Sequence, residues 1–111
     1  AQQLQSAYES NCLTTTFSGS YPGWKPKPEA EIIKVMTDLY ENNFGSKPMV
    51  VACHAGLECG IIGTNYPKME MVSFGPTIKG AHSPDERASI SSLQKFWKYL
   101  KLVLENIPVK K

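Results

Sequence analysis

Two short stretches of the chain combine side chains and spacings that could do chemistry. One is Cys53-His54-Ala55-Gly56-Leu57-Glu58-Cys59-Gly60, where an imidazole and a carboxylate flank a glycine. The other is His82-Ser83-Pro84-Asp85-Glu86, at the far end of the loop that opens with Gly75-Pro76-Thr77. A neutral imidazole in such a place can ligate a metal if its second nitrogen is held by a carbonyl or carboxylate. Asp85 or Glu86 could supply that hold. The same residues also read as a plain turn, with Ser83 as cap, Pro84 as first residue and Glu86 reaching back. In the first stretch, Gly56 lets a backbone approach a ligand closely, and amides opening a short helix suit a terminal carboxylate. Glu58 reads equally well as a charge placed at a helix's positive end. Cys53 and His54 do not form a thiol–imidazole pair, because adjacent residues on a strand point to opposite faces.

Both stretches need a scaffold, and the surrounding pattern supplies one. Met49-Val-Val-Ala-Cys53 is a short continuous apolar run, as in a strand buried on both faces of a parallel sheet, and Met69 to Phe74 reads as a second. His54 directly follows the first run and His82 follows the second and its loop. Ligands of open α/β sheets bind beyond the carboxyl ends of the strands, so both histidines lie where a site belongs. A helix is expected over 29–43, with Pro28 near its start, Gly45 as its stop, and Ile32, Met36, Leu39 and Tyr40 on one face. Residues 56–62 read as a short helix stopped by Gly63. The last helix should begin at Ser91 or Ser92, with Ser91 and Gln94 as a capping box. Leu93, Phe96, Trp97, Leu100, Val103 and Leu104 would form its apolar face, with Pro108 beyond its end. Earlier in the chain, residues 2–9 read as the last turns of a helix and Leu13–Phe17 as a strand. Three prolines and two glycines keep 18–28 irregular, and Trp24 there should pack on a helix. Helix, strand, helix, strand, helix is one flank of an α/β sheet.

Composition narrows the function classes. With 111 residues, 41% hydrophobic and 20% charged, the chain is at most one ordinary soluble domain and small for a peptidase. A net charge of +2, without a basic stripe interleaved with aromatics, argues against nucleic acid as a partner. No apolar run approaches a membrane span, and residues 1–10 lack the apolar core of a signal peptide. Three cysteines without a Cys-x-x-Cys pair fit a reducing cytosol better than a disulfide framework.

Taken together, His54 to Gly60, His82 to Glu86, Tyr21-Pro-Gly-Trp24 and Gly75-Pro-Thr77 resemble one family. They are similar to the C-terminal part of the Xaa-His dipeptidases (aminoacyl-histidine dipeptidases), among the carnosinase-like di-zinc exopeptidases. The resemblance covers residues 17–108. It implies an α/β fold, part of a three-layer α/β/α catalytic domain with parallel strands and without its N-terminal half. Residues 1–20 would be a remnant of the lid domain and 21–111 the C-terminal segment of the catalytic domain. It implies a cytoplasmic enzyme that hydrolyses dipeptides with a C-terminal histidine through metal-activated water, with two zinc ions in the intact protein. On that reading His82 is a zinc ligand. His54, Gly56 and Glu58 face the substrate, and Asp85 and Glu86 stand behind the metal ligand. Related exopeptidases carry a Gly-Gly-Thr-Asp-like sequence where this chain has Ala55-Gly56-Leu57-Glu58.

The family draws its other metal ligands and its general base from a His-x-Asp and a Glu-Glu pair, and this chain has neither. A catalytic zinc takes three protein ligands and an open position. The 111 residues alone are therefore expected to bind little zinc, to hold no catalytic residue and to hydrolyse nothing. Strand edges left without neighbours would favour a homodimer. The rival expectation is a free-standing α/β binding module without chemistry. The mass of the native protein separates the two.

Overall fold

The computed structural model describes residues 2–20, 22–52 and 58–109. Its elements run α1 (Gln2–Glu9), α2 (Glu31–Phe44), α3 (Glu58–Asn65), β1 (Ile78–Lys79), β2 (Arg87–Ala88) and α4 (Ile90–Glu105). Helix α1 fills the expected 2–9 span, and Gln5 Nε2 donates to Glu9 Oε1 one turn on at 2.8 Å. Its Leu4 and Tyr8 are exposed. Leu13–Phe17 forms no strand.

Helix α2 begins at Glu31 rather than Glu29, and Ala30 at its N-cap offers no side-chain cap. A distant carboxylate takes that place: Glu70 Oε2 accepts from the Ile32 N–H at 3.1 Å, with its charge at the helix's positive end. The Lys27 ammonium donates to the Pro67 carbonyl at 3.3 Å, which ties the same two segments together. The helix stops as expected at Gly45, whose φ of 71° is left-handed and whose N–H donates to the Glu41 carbonyl.

Helices α2 and α4 build the core. Met36, Tyr99 and Val103 are buried, with Ile32, Leu39, Tyr40, Phe44 and Val72 packed against them. Tyr99 is the hub. Its hydroxyl donates to the Met36 carbonyl at 2.7 Å, and its ring meets Tyr40 (5.3 Å) and Phe74 (5.4 Å) edge-on. The Lys95 ammonium lies 4.4 Å from the centre of the Tyr40 ring and also bonds its hydroxyl, closing the solvent side of the pair. Helix α4 starts before the expected serines: Ser89 is the cap, its hydroxyl accepting from the Ser92 N–H at 3.4 Å. Its face is also narrower than expected. Phe96 is half-buried and Val103 buried, whereas Leu93, Trp97 and Leu104 are exposed, Trp97 at 59%.

Helix α3 runs through Gly63 to Asn65, so this glycine is not the stop expected of it. Its role is room: a Cβ there would come within 2.8 Å of Met71 Cε. Gly60 is tighter, because a Cβ on it would overlap the Pro22 carbonyl oxygen. Backbone cannot yield as a methionine tip can. Gly60→Ala is therefore expected to destabilise the chain by roughly 1–3 kcal/mol. Gly63→Ala should cost little, since alanine gains helix propensity. Urea midpoints of the two variants check this, and equal shifts would contradict it.

The two expected parallel strands do not form among the described residues. Residues 49–52 and 69–74 are assigned to no strand, and Met49 and Val51 are 87% and 69% exposed. A strand exists only through its neighbours, and none pairs with these runs among the described residues. The strands that do form, β1 and β2, are short and antiparallel, with Ile78 opposite Ala88 and Lys79 opposite Arg87. The radius of gyration is 18.8 Å, against about 13 Å for a compact chain of this length.

Candidate functional site

The β1–β2 hairpin presents His82 at its tip. Gly80 (φ 64°) and His82 (φ 63°) are both left-handed, the second unusual for a residue with a side chain. The Gly80 carbonyl accepts from the Ser83 N–H at 3.1 Å and from the Ser83 hydroxyl at 2.7 Å. The Ser83 carbonyl accepts from the Glu86 N–H at 3.1 Å, and Glu86 Oε2 accepts from the His82 N–H at 2.8 Å. The tip is thus wrapped by its own polar groups.

The base of the hairpin is joined to α4. Ser92 Oγ accepts from the Thr77 N–H at 2.9 Å and donates to the Ser89 carbonyl, while the Ser89 N–H donates to the Thr77 carbonyl at 3.0 Å. Hydrogen bonds thus brace the base of the hairpin against the start of α4, and the paired strands carry the His82 tip from that base. Sequence reasoning missed these bracing residues. The Ser89-x-x-Ser92 spacing carries a signal, since a serine three residues before another reads as an N-cap, but the cross-link to Thr77 is tertiary.

The imidazole of His82 is exposed and hydrogen-bonded to no described residue. Asp85 and Glu86 are exposed beside it, and Glu86 holds the backbone of His82 rather than its ring. Glu58 is the first residue of α3 and exposed, placed as a carboxylate at that helix's positive end. No hydrogen bond joins it to the His82 loop among the described residues. His54 and Gly56 lie outside the described residues, as does Cys53.

A groove of about 1220 Å³ opens elsewhere, between α2, α4 and the 48–52 and 71–77 segments, lined by Met36, Met49, Phe74, Phe96 and Tyr99, with half-buried Trp24 on its wall. Its lining does not include His82, and its titratable groups are Lys27 and the Tyr40, Lys95 and Tyr99 cluster of the core. No carboxylate, imidazole or thiol lines it among the described residues. Among the described residues no three His, Cys, Asp or Glu side chains gather as metal donors. His82 suits a metal as one donor among several, and the described residues do not complete a site.

The model of peptidase family M20/M25/M40 matches residues 11–106. The chain belongs to this family. The cytosol non-specific dipeptidase of Escherichia coli (strain K12) is 43% identical over 96 residues, covering 86% of this chain and 20% of that protein. The crystal structure of aminoacylhistidine dipeptidase from Vibrio alginolyticus superposes with a TM-score of 0.76 at 49% identity, covering 99% of this chain and 22% of that one. The chain thus has an α/β peptidase fold and spans about a fifth of the length of the relatives it matches. That explains the open geometry of this M20 chain: the backbone follows the trace of the larger enzyme, but the apolar runs at 49–52 and 69–74 meet no strand partner among the described residues. No described helix is long and apolar enough to cross a membrane.

Proposed function

We propose that this chain is the C-terminal portion of a cytoplasmic zinc dipeptidase that hydrolyses Xaa-His dipeptides. Residues 1–20 would belong to its lid, and 21–111 to a three-layer α/β/α catalytic domain with parallel strands. Membership of an M20 peptidase family together with an imidazole held outward on a braced hairpin carries the reading. The names of the two relatives share dipeptide hydrolysis; the preference for a C-terminal histidine rests on the motif resemblance.

His82 would hold one of two zinc ions, whose bound chemistry is to activate water and polarise the scissile carbonyl. The chain's own contribution is position. The hairpin tip keeps the ring away from the protein core, and the join to α4 limits how far it can stray. His54, Gly56 and Glu58 would face the substrate, Gly56 by allowing close backbone approach. Asp85 and Glu86 would support the ligand. The 18.8 Å radius of gyration and the uncovered apolar runs disfavour a free-standing module and suit a segment covered by further polypeptide. Where that cover is absent, the bare edges would pair two copies.

Hydrolysis of an Xaa-His dipeptide, measured on the purified 111-residue chain and on the protein at its native length, tests this. Activity is expected only at a native length well above 12.3 kDa, lost to a chelator and restored by zinc. Zinc-dependent turnover by the 111 residues alone would overturn the fragment reading, and a native-length protein inactive on every dipeptide would overturn the dipeptidase.

A further inference from the structure

We infer that Glu86 is a positioning residue whose carboxylate fixes the left-handed backbone of His82 and thereby aims its imidazole at the metal. The inference rests on His82 being a ligand, but its structural half stands on the hairpin alone. A Cβ disfavours positive φ, and histidine, although commoner there than most residues, still needs its surroundings to offset that cost. At His82 (φ 63°) the hold is visible: Glu86 Oε2 takes the backbone N–H at 2.8 Å, a charge-assisted bond.

Glu86 is itself fixed at both ends. Its own N–H donates to the Ser83 carbonyl at 3.1 Å, and it adjoins Arg87, which pairs with Lys79 in the hairpin. One residue therefore spans the tip and locks it to the strands. Because the carboxylate binds the main chain, neither ring nitrogen is engaged by a described residue, which leaves one for a cation and one for a partner elsewhere. A carboxylate placed on the ring would have used one of them.

Crystal structures and zinc competition titrations of native-length Glu86→Ala and Glu86→Gln test this. In Glu86→Ala, residue 82 is expected to leave the left-handed region and zinc affinity to fall about tenfold or more, the usual range for losing a residue that orients a ligand. Glu86→Gln keeps an acceptor oxygen, so it should retain the positive φ and most of the affinity. A φ at residue 82 still near its present value in Glu86→Ala would overturn the inference, whatever the metal does. Loss of affinity in both variants with φ unchanged would also overturn it, by assigning the effect to charge. The ligand reading fails separately, if His82→Ala leaves zinc affinity unchanged, and the backbone readout would still decide the role of Glu86.

Discussion

Replacing His82 by alanine in the native-length protein is expected to remove one equivalent of zinc and to lower kcat/KM on dipeptides by roughly three orders of magnitude. A metal acting as Lewis acid contributes several kcal/mol to the transition state, and each 1.36 kcal/mol is about tenfold in rate. Fold stability should hardly change, because the ring is exposed and makes no hydrogen bond to a described residue. Alanine is itself uncomfortable at a φ of 63°. His82→Asn removes that ambiguity, since asparagine tolerates the left-handed region while its amide is a poor zinc ligand. Both variants should lose metal and activity together, and metal analysis beside steady-state kinetics checks it. A variant that keeps both zinc ions and its activity would show that the imidazole serves the loop and not the metal.

The other large effect lies in the core. Met36→Ala is expected to cost about 2–5 kcal/mol, the range for truncating a large buried aliphatic side chain. In this chain that loss should be decisive, because Met36, Tyr99 and Val103 are the whole buried cluster among the described residues. A small domain has only a few kcal/mol in hand. The variant should lose the near-ultraviolet circular dichroism of its packed tyrosines while keeping much of its helical signal. A full near-ultraviolet spectrum would mean the two helices are held by contacts outside this cluster.

Tyr99 gives the same core a pH dependence. Burial, and then the neighbouring Tyr40, raise the Tyr99 pKa above its ordinary value near 10. The folded state therefore holds the phenolic proton more tightly than the unfolded one. Stability from this group is complete below about pH 10 and is lost as pH rises through the raised folded value. Tyr99→Phe should abolish that alkaline fall and lower stability at neutral pH by about 0.5–1.5 kcal/mol for the lost bond to Met36. Urea midpoints across the alkaline range report both.

The helices were the legible part of the fold, because helical periodicity is local. Ile32, Met36, Leu39 and Tyr40 marked the face of α2, and Gly45 marked its end. In α4 periodicity named apolar residues on more than one side and could not tell which would be covered. Trp97 and Leu93 are exposed, while Tyr99, a residue with a polar tip, became the hub. The runs 49–53 and 69–74 read as buried strands because their composition suits burial; Val72 and Phe74 do pack on the core, but Met49 and Val51 stay exposed and neither run finds a strand partner among the described residues. The 78–79 and 87–88 hairpin went unseen because two-residue strands leave no alternation to detect. For the site, the His82-to-Glu86 motif and its family resemblance picked out the hairpin tip. What they could not show is that Glu86 grips the His82 backbone, since a spacing of four residues does not say which atom a carboxylate reaches.

The most direct measurement is the zinc anomalous difference map of the native-length protein. The account expects a peak about 2.0–2.1 Å from an imidazole nitrogen of His82, with the remaining ligands contributed by other parts of the polypeptide. Zinc bound in full without His82, or an imidazole turned onto packed hydrocarbon with no ion beside it, would contradict the account.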